Sequence, residues 1–310
     1  MNTETADLRT APLSTAAAGG TRAVLGTLIR REFWEHPALW RAPLIVAALL
    51  ALSTIFSVTI GIDFNDTHLR ALGDPERIIV LNMTQLVWAF LIYLVASVVT
   101  TFYALDCLYA ERKDRSILFW KSLPVSDGQT VLSKFLVALV VVPLGVFALA
   151  LVSHLLALII WKLRVASGGV PDVVRWDTIA WVRGELVILL CLLLSSLWYA
   201  PLAAAALLLS AWVKRNPLVW ATLPLLFVPI FEYIVFRTGY VWSFIRYRTG
   251  GIWHTLFTRD GHSVMNENVR MLSDLNWTAA FTSVNLWLGV LAAAGLLYAA
   301  ARVRRYRDDT

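Results

Sequence analysis

Two sets of polar residues stand out in a chain that is otherwise apolar. The first is one block, Glu111-Arg112-Lys113-Asp114-Arg115-Ser116-Ile117-Leu118-Phe119-Trp120-Lys121-Ser122-Leu123-Pro124-Val125-Ser126, flanked by two hydrophobic stretches. Glu111 and Arg115 form an i,i+4 acid-then-base pair that supports a helix in water. Pro124 breaks that path, and Ser126 followed by Gln129 forms a capping box that starts a new helix. Between them, Ser116 to Leu123 makes a short amphipathic helix, with Ile117, Leu118 and Trp120 on apolar surface and Lys121 in water. A solvated basic loop needs charge but has little use for Phe119 and Trp120. The chemistry of this block is therefore recognition of a partner.

The second set is scattered through the hydrophobic stretches: Asn82, Thr84, Gln85, His154, Glu232 and Asn285. Polar groups are expensive in lipid and by default mark a substrate or ion pathway. Each also has a structural alternative. Asn82 and Gln85 can pack against a neighbouring helix, His154 can satisfy a hydroxyl or a carbonyl, and Glu232 can reach Arg237.

Residue patterns for covalent chemistry are missing from the sequence. It has no Gly-x-x-x-x-Gly-Lys-Ser/Thr phosphate loop, no His-Glu-x-x-His helix and no nucleophile elbow. Cys107 and Cys191 have no partner at metal-ligand spacing, and His254 and His262 have nothing to complete a site. The expectation is a chain with no catalytic residue, no metal and no cofactor of its own.

The elements that must position these residues are membrane spans. Hydrophobic residues make up 58% of the chain and charged residues 15%, far from the balance of a soluble domain. At about 20 apolar residues per crossing, six spans are predicted: Ala42–Ile62, Ile78–Asp106, Val131–Trp161, Leu186–Val213, Leu218–Phe236 and Phe281–Ala301. Long apolar runs without period-2 alternation make these helices and not barrel strands.

With both termini in the cytoplasm, 16 of the 27 Lys and Arg lie inside, as the positive-inside rule requires, although the connection 237–280 carries five Arg outside. That placement turns the net charge of +6 toward acidic lipid headgroups and away from nucleic acid. Val24, Leu25, Leu28, Ile29 and Phe33 recur at helical spacing, with Arg30 and Arg31 on the other side. They predict an elbow helix lying on the inner leaflet and ended by Pro37. Residues 1–20 are expected to form a disordered cytoplasmic tail, and residues 21–310 the membrane domain. Pro143, Pro201, Pro224 and Pro229 fall inside spans, where each removes a backbone hydrogen bond. Ala292, Gly295 and Ala299 offer a small-residue face in the last span. In the outer connection, Trp242, Phe244, Ile245, Trp253 and Phe257 mix with Arg246, Arg248 and Arg259, a pattern for interfacial helices.

Glu111-Arg112, a charged turn, a hydrophobic stretch, Leu123-Pro124-Val125-Ser126 and Lys134 together resemble the loop after the second span of type-2 ATP-binding cassette exporter permeases. The elbow helix, six spans and long outer connection are similar too. The resemblance implies an all-α polytopic fold with six transmembrane helices, an N-terminal elbow helix and a cytoplasmic coupling helix. It also implies a bacterial cytoplasmic (inner) membrane location and a dimer of permease chains bearing two ATPase subunits. Those subunits would hold the ATP and Mg. Glu111, Arg112, Arg115, Phe119, Trp120, Lys121 and Pro124 would couple to the ATPase. Asn82, Gln85, His154, Glu232 and Asn285 would line the substrate pathway. The competing expectation is a non-transporting membrane sensor or assembly subunit.

Overall fold

The computed structural model describes residues 13–56, 73–117, 125–168, 172, 174, 176–259, 262–263 and 275–306. They form a bundle of helices, interrupted only by a two-residue hairpin. In chain order these are α1 (Leu13–Glu35), α2 (Ala38–Ile55), α3 (Asp74–Lys113), α4 (Asp127–Leu136) and α5 (Val142–Ala166). After them come α6 (Thr178–Trp212), α7 (Pro217–Phe236) and α8 (Tyr240–Phe257). The hairpin of β1 (Thr258–Arg259) and β2 (His262–Ser263) follows, then α9 (Trp277–Thr282) and α10 (Val284–Tyr306).

Six of the helical segments are long and apolar enough to cross a membrane: Ala38–Ile55, Arg77–Lys113, Asp127–Ala166, Thr178–Trp212, Pro217–Phe236 and Val284–Tyr306. They match the six predicted spans, and large apolar side chains such as Leu49, Phe90, Leu225, Phe231 and Leu291 face outward along them. Such a belt is costly in water and suits hydrocarbon, which makes this a multi-pass membrane protein. At about 1.5 Å per residue, the 40 residues of α3 reach about 60 Å, well beyond the hydrocarbon thickness.

The helices form where sequence pattern and caps agree. On α2 the buried residues Leu39, Pro43, Ala47, Leu50 and Thr54 recur every three or four positions, a single stripe turned toward α3 and α5. The capping box at Ser126 and Gln129 is present in both directions, as predicted, and opens α4. Asp177 caps α6 by accepting from Ala180 N at 2.7 Å. A single π-helical segment, Val137–Val141, joins α4 to α5 immediately before Pro143. The proline has no N–H to donate, and a π-turn is one way to absorb that break without ending the helix.

Helix α6 lies at the centre, packed on α3 and α10, while α2 and α5 close the other side of α3. The close approach of α6 and α10 runs through Ala200, Ala204 and Ala293. The predicted small-residue face of α10 is therefore displaced: Ala292 and Gly295 are exposed, and Leu286, Gly289, Ala293, Ala300 and Arg304 form the buried stripe. Helix α7 is the least engaged, with only Pro217 and Glu232 buried.

Two further expectations need adjusting. Helix α1 starts at Leu13, inside the stretch expected to be a tail, where the alanines Ala16 to Ala18 favour helix. Arg31, expected on the solvent side of that helix, is largely covered and turns inward with Glu32.

Candidate functional site

The polar block begins where α3 ends. The helix stops at Lys113, and Arg115 takes a positive φ of 56°, so the expected Glu111–Arg115 pair does not form along one helix. Glu111 is instead buried and drawn into the bundle. Its Oε1 lies 3.2 Å from Lys134 Nζ and 3.1 Å from Arg31 Nη2, and its Oε2 lies 2.9 Å from Arg304 Nη2. Lys134 is fully buried and also donates to both oxygens of Glu32, at 2.8 and 3.0 Å. Tyr103 O–H donates to Glu32 Oε2 at 2.8 Å, and Arg304 also binds Asp127. This charge knot ties α1, α3, α4 and α10 together at one end of the bundle.

Two carboxylates sharing one ammonium, with guanidinium groups completing the shell, come close to electroneutrality. Burial of such ions costs several kcal/mol each unless nearly every hydrogen bond is made, which is why the knot is so heavily cross-linked. Beside it, Arg112 turns toward the C-terminus of α6, where its Nη2 donates to the carbonyls of Ser210 and Val213 at 2.6 and 2.7 Å. Helix ends leave carbonyls unpaired, and an arginine there satisfies them with favourable dipole alignment. Ser210 Oγ accepts from Leu108 N and Tyr109 N, locking α3 to α6 from the other direction.

Glu111 and Arg112, expected to present charge to a partner, are thus committed inside the bundle. The tertiary fold supplies Lys134, Arg304 and two backbone carbonyls as stronger partners than an external surface. Arg115 is exposed, and Ile117 is buried. Phe119, Trp120, Lys121 and Pro124, and with them the coupling helix over Ser116–Leu123 beyond Ile117, lie outside the described residues.

Of the predicted pathway residues, the structure brings Gln85 and His154 together, with Asn82 one turn before Gln85 on the same side facing Gly184, and places Glu232 and Asn285 elsewhere. At the opposite end of the bundle from the knot, Gln85 Nε2 donates to Glu185 Oε1 at 2.8 Å, and His154 Nδ1 lies 2.7 Å from the same oxygen. All three side chains are buried. Gln85 does pack on a neighbouring helix, as anticipated, but the partner of His154 is a carboxylate and not a hydroxyl or carbonyl. Glu185 went unrecognised because it lies one residue before the predicted start of its span. Gly184 lets α6 approach this spot: a Cβ there would fall 2.6 Å from Gln85 Oε1 and 3.4 Å from Asn82 Oδ1.

Gln85 and His154 also line a cavity, together with Thr84, Trp88, Trp161 and Trp181. Its volume is about 60 Å³. Gln85 Oε1, His154 Nε2, Glu185 Oε2, Asn82 Oδ1 and Trp181 Nε1 are buried with no hydrogen-bond partner among the described residues.

Glu232 and Asn285 have other work. Glu232 does not reach Arg237, whose guanidinium lies over the Tyr233 ring. Its carboxylate accepts from Thr238 Oγ1, Tyr240 N and Val241 N at 2.7 to 2.8 Å. The last two are free N–H groups at the start of α8, where a carboxylate is stabilised by the helix dipole. Asn285 is exposed and donates to Tyr247 O–H at 2.8 Å. The connection 237–280 does contain a helix, α8, anchored by a buried arginine. Arg248 stacks over Trp198 with its Cζ 4.4 Å from the ring centroid, donates to the Trp198 carbonyl and sits against Gly289.

Among the described residues one trio, Glu32, Glu35 and His36, has ligand atoms close enough together to hold a metal ion. Both oxygens of Glu32 are already held by Lys134 and Tyr103, so a cation would have to displace the lysine.

Glu32 and Arg304 escaped the sequence reading. Glu32 was legible in one respect, because it shares the buried face of Leu28, four residues earlier, where a charge demands a partner. Arg304 was counted among basic residues meeting lipid. Comparison with family models, curated proteins and solved structures gave no match.

Proposed function

We propose that this chain is the membrane-spanning permease subunit of an ATP-driven exporter. It works as a dimer, and a separate ATPase engages the polar loop between α3 and α4. The observation that carries the reading is the charge knot at the root of that loop. Because Glu111, Lys134, Glu32 and Arg304 join four helices through charge-assisted bonds, a displacement applied to the loop moves α1, α3, α4 and α10 together. In this reading the knot end faces the cytoplasm, consistent with the basic residues Lys113, Arg115, Lys214, Arg215, Arg302 and Arg305 near it. ATP and Mg belong to the partner, since the chain contains no phosphate loop. The apolar surface of α7 is available to lipid or to the second permease chain.

The test is recruitment. Arg115 and Lys121 changed to Ala, with Trp120→Ala, remove two charges and one large aromatic side chain, of the kind worth about 2 kcal/mol or more at interfaces. None of these residues belongs to the knot, so insertion should be preserved. The expected result is lost co-purification of a cassette ATPase co-expressed with the chain and lost stimulation of ATP hydrolysis. A triple variant that inserts and still recruits its ATPase at wild-type level would refute the proposal. Recruitment without vanadate-sensitive substrate movement in vesicles would favour a sensor or assembly subunit.

A further inference from the structure

Two arginines of the knot have neighbours in the chain that point the other way. Arg31 and Arg304 turn inward onto Glu111, whereas Arg30 and Arg302 are exposed, as is Arg41 at the start of α2. None of these three makes an ion pair or a side-chain hydrogen bond with a described residue. Each lies instead on an exposed aromatic ring: Arg30 over Trp34 at 5.0 Å, Arg41 over Trp40 at 5.2 Å, and Arg302 over Tyr306 at 5.0 Å and Tyr298 at 5.9 Å. The turn after the end of α6 that Arg112 binds has the same composition, with exposed Lys214 and Arg215 between exposed Trp212 and Trp220. Exposed acids at this end are fewer. Glu35 is engaged by Arg31, which leaves Asp106 and Asp114 among the described residues.

The places of Arg302 and Arg41 along their helices fix what they meet. On α10 one exposed face runs through Val284, Leu288, Leu291, Gly295 and Tyr298 before it reaches Arg302. At about 1.5 Å per residue, the stretch from Val284 to Arg302 is about 27 Å long, close to the hydrocarbon thickness of about 30 Å. On α2 the exposed face runs the other way, from Arg41 through Ile45, Ala48 and Leu52. Each arginine thus ends a lipid-facing stripe at headgroup level, where Trp and Tyr also concentrate.

We propose that the knot end of the bundle binds acidic phospholipids, with their phosphates held by Arg30, Arg41 and Arg302. A guanidinium stacked on a ring keeps its in-plane N–H donors, and these match phosphate oxygens in pairs. A zwitterionic headgroup brings its own ammonium, which the arginines repel. The headgroup of phosphatidylglycerol brings none. An acidic protein could match the charges but not the lipid-facing stripes that end in them. Net charge favours acidic lipid over the whole chain, whereas this arrangement says which arginines hold it. The inference needs no ATPase, so failed recruitment would leave it standing and its own failure would leave recruitment untouched.

The experiment is electron spin resonance on the full-length chain in phosphatidylcholine vesicles carrying a trace of spin-labelled phosphatidylglycerol or phosphatidylcholine. It reads the fraction of label immobilised at the protein surface. At low salt phosphatidylglycerol should be enriched at least about threefold over phosphatidylcholine, the order of effect of one basic residue at a membrane surface, and high salt should shrink the enrichment. Changing Arg30, Arg41 and Arg302 to Gln should bring it close to parity. Arg183→Gln with Arg246→Gln removes two exposed arginines that lie away from the knot and touch no ring among the described residues, and should leave it unchanged. Should the triple variant fail to reconstitute, Arg302→Gln alone should lower the enrichment in the same direction. The proposal is overturned if phosphatidylglycerol is not enriched, if the Arg302 variants keep the wild-type value, or if the control pair lowers it as much per charge removed, which would make it an effect of net charge. Lost co-purification of the ATPase in the triple variant with unchanged lipid enrichment would assign the three arginines to a protein partner and likewise overturn it.

Discussion

The two polar regions of this bundle differ in how completely their carboxylates are met. At the knot, the oxygens of Glu32 and Glu111 are met by Lys134, Arg31, Arg304 and Tyr103, and the α6 carbonyls by Arg112. At the opposite end, Glu185, His154 and Gln85 spend one atom each on one another, and a second atom of each is buried with no partner among the described residues. Carboxylates met on both oxygens by cations from other helices hold those helices in register, although Arg304 Nε in the knot also has no partner among the described residues.

The comparison can be broken most directly at the knot. Lys134→Met leaves buried Glu32 with only the Tyr103 hydroxyl and the more distant His36, while Glu111 keeps Arg31 and Arg304, and should destabilise the chain by about 3–5 kcal/mol, as removing one partner of a buried pair does. Thermal unfolding in detergent would show it, and adding Glu32→Gln should restore part of the loss through coupling. If Lys134→Met unfolds like wild type, the knot does not hold the bundle together.

A smaller effect is expected where packing, not charge, is at stake. Gly289→Ala places a methyl against the Arg248 guanidinium and should cost about 1–3 kcal/mol, while Gly295→Ala, with open space around it, should change stability by less than about 0.5 kcal/mol. Equal effects would mean that the packed face of α10 is misassigned.

The smallest effect concerns pH. Burial holds His36 below the ordinary histidine range, with Glu32 at 3.9 Å pulling it partly back and Lys134 adding to the depression. A histidine with a lowered folded pKa disfavours the charged form in the folded state. Its neutral form is therefore fully compatible with the fold above the unfolded value of about 6.5, and stability falls as pH drops below that value toward the folded pKa. His36→Gln should flatten the stability profile between about pH 5 and 7. An unchanged slope would assign it to the neighbouring carboxylates.

Much of the fold was legible in the sequence, and the reasons are local. Six apolar runs of sufficient length cannot be anything but spanning helices once lipid is the solvent, because backbone groups have no other partner there. Ser126 and Gln129 fix a helix start within four residues, and Gln85 and His154 drew attention because amides and imidazoles are rare in such runs. What the sequence could not supply were partners across long separations. Glu32 and Lys134 are 102 residues apart, and Glu111 and Arg304 are 193 apart. Glu111 and Arg112 read as surface charge for a partner protein because their neighbours in the chain are charged. Only the packing of α3 against α1, α4, α6 and α10 turned them inward. The small-residue face of α10 was misplaced for the same reason, since Ala292 and Gly295 are chemically as suitable as Gly289 and Ala293. Which face meets α6 is decided by the position of Arg248 and of the alanines opposite. Composition and period determined that this chain lives in a membrane as a helical bundle. Tertiary structure alone decided which of its charges meet one another across the bundle, because a charge's role depends on the groups that surround it in space.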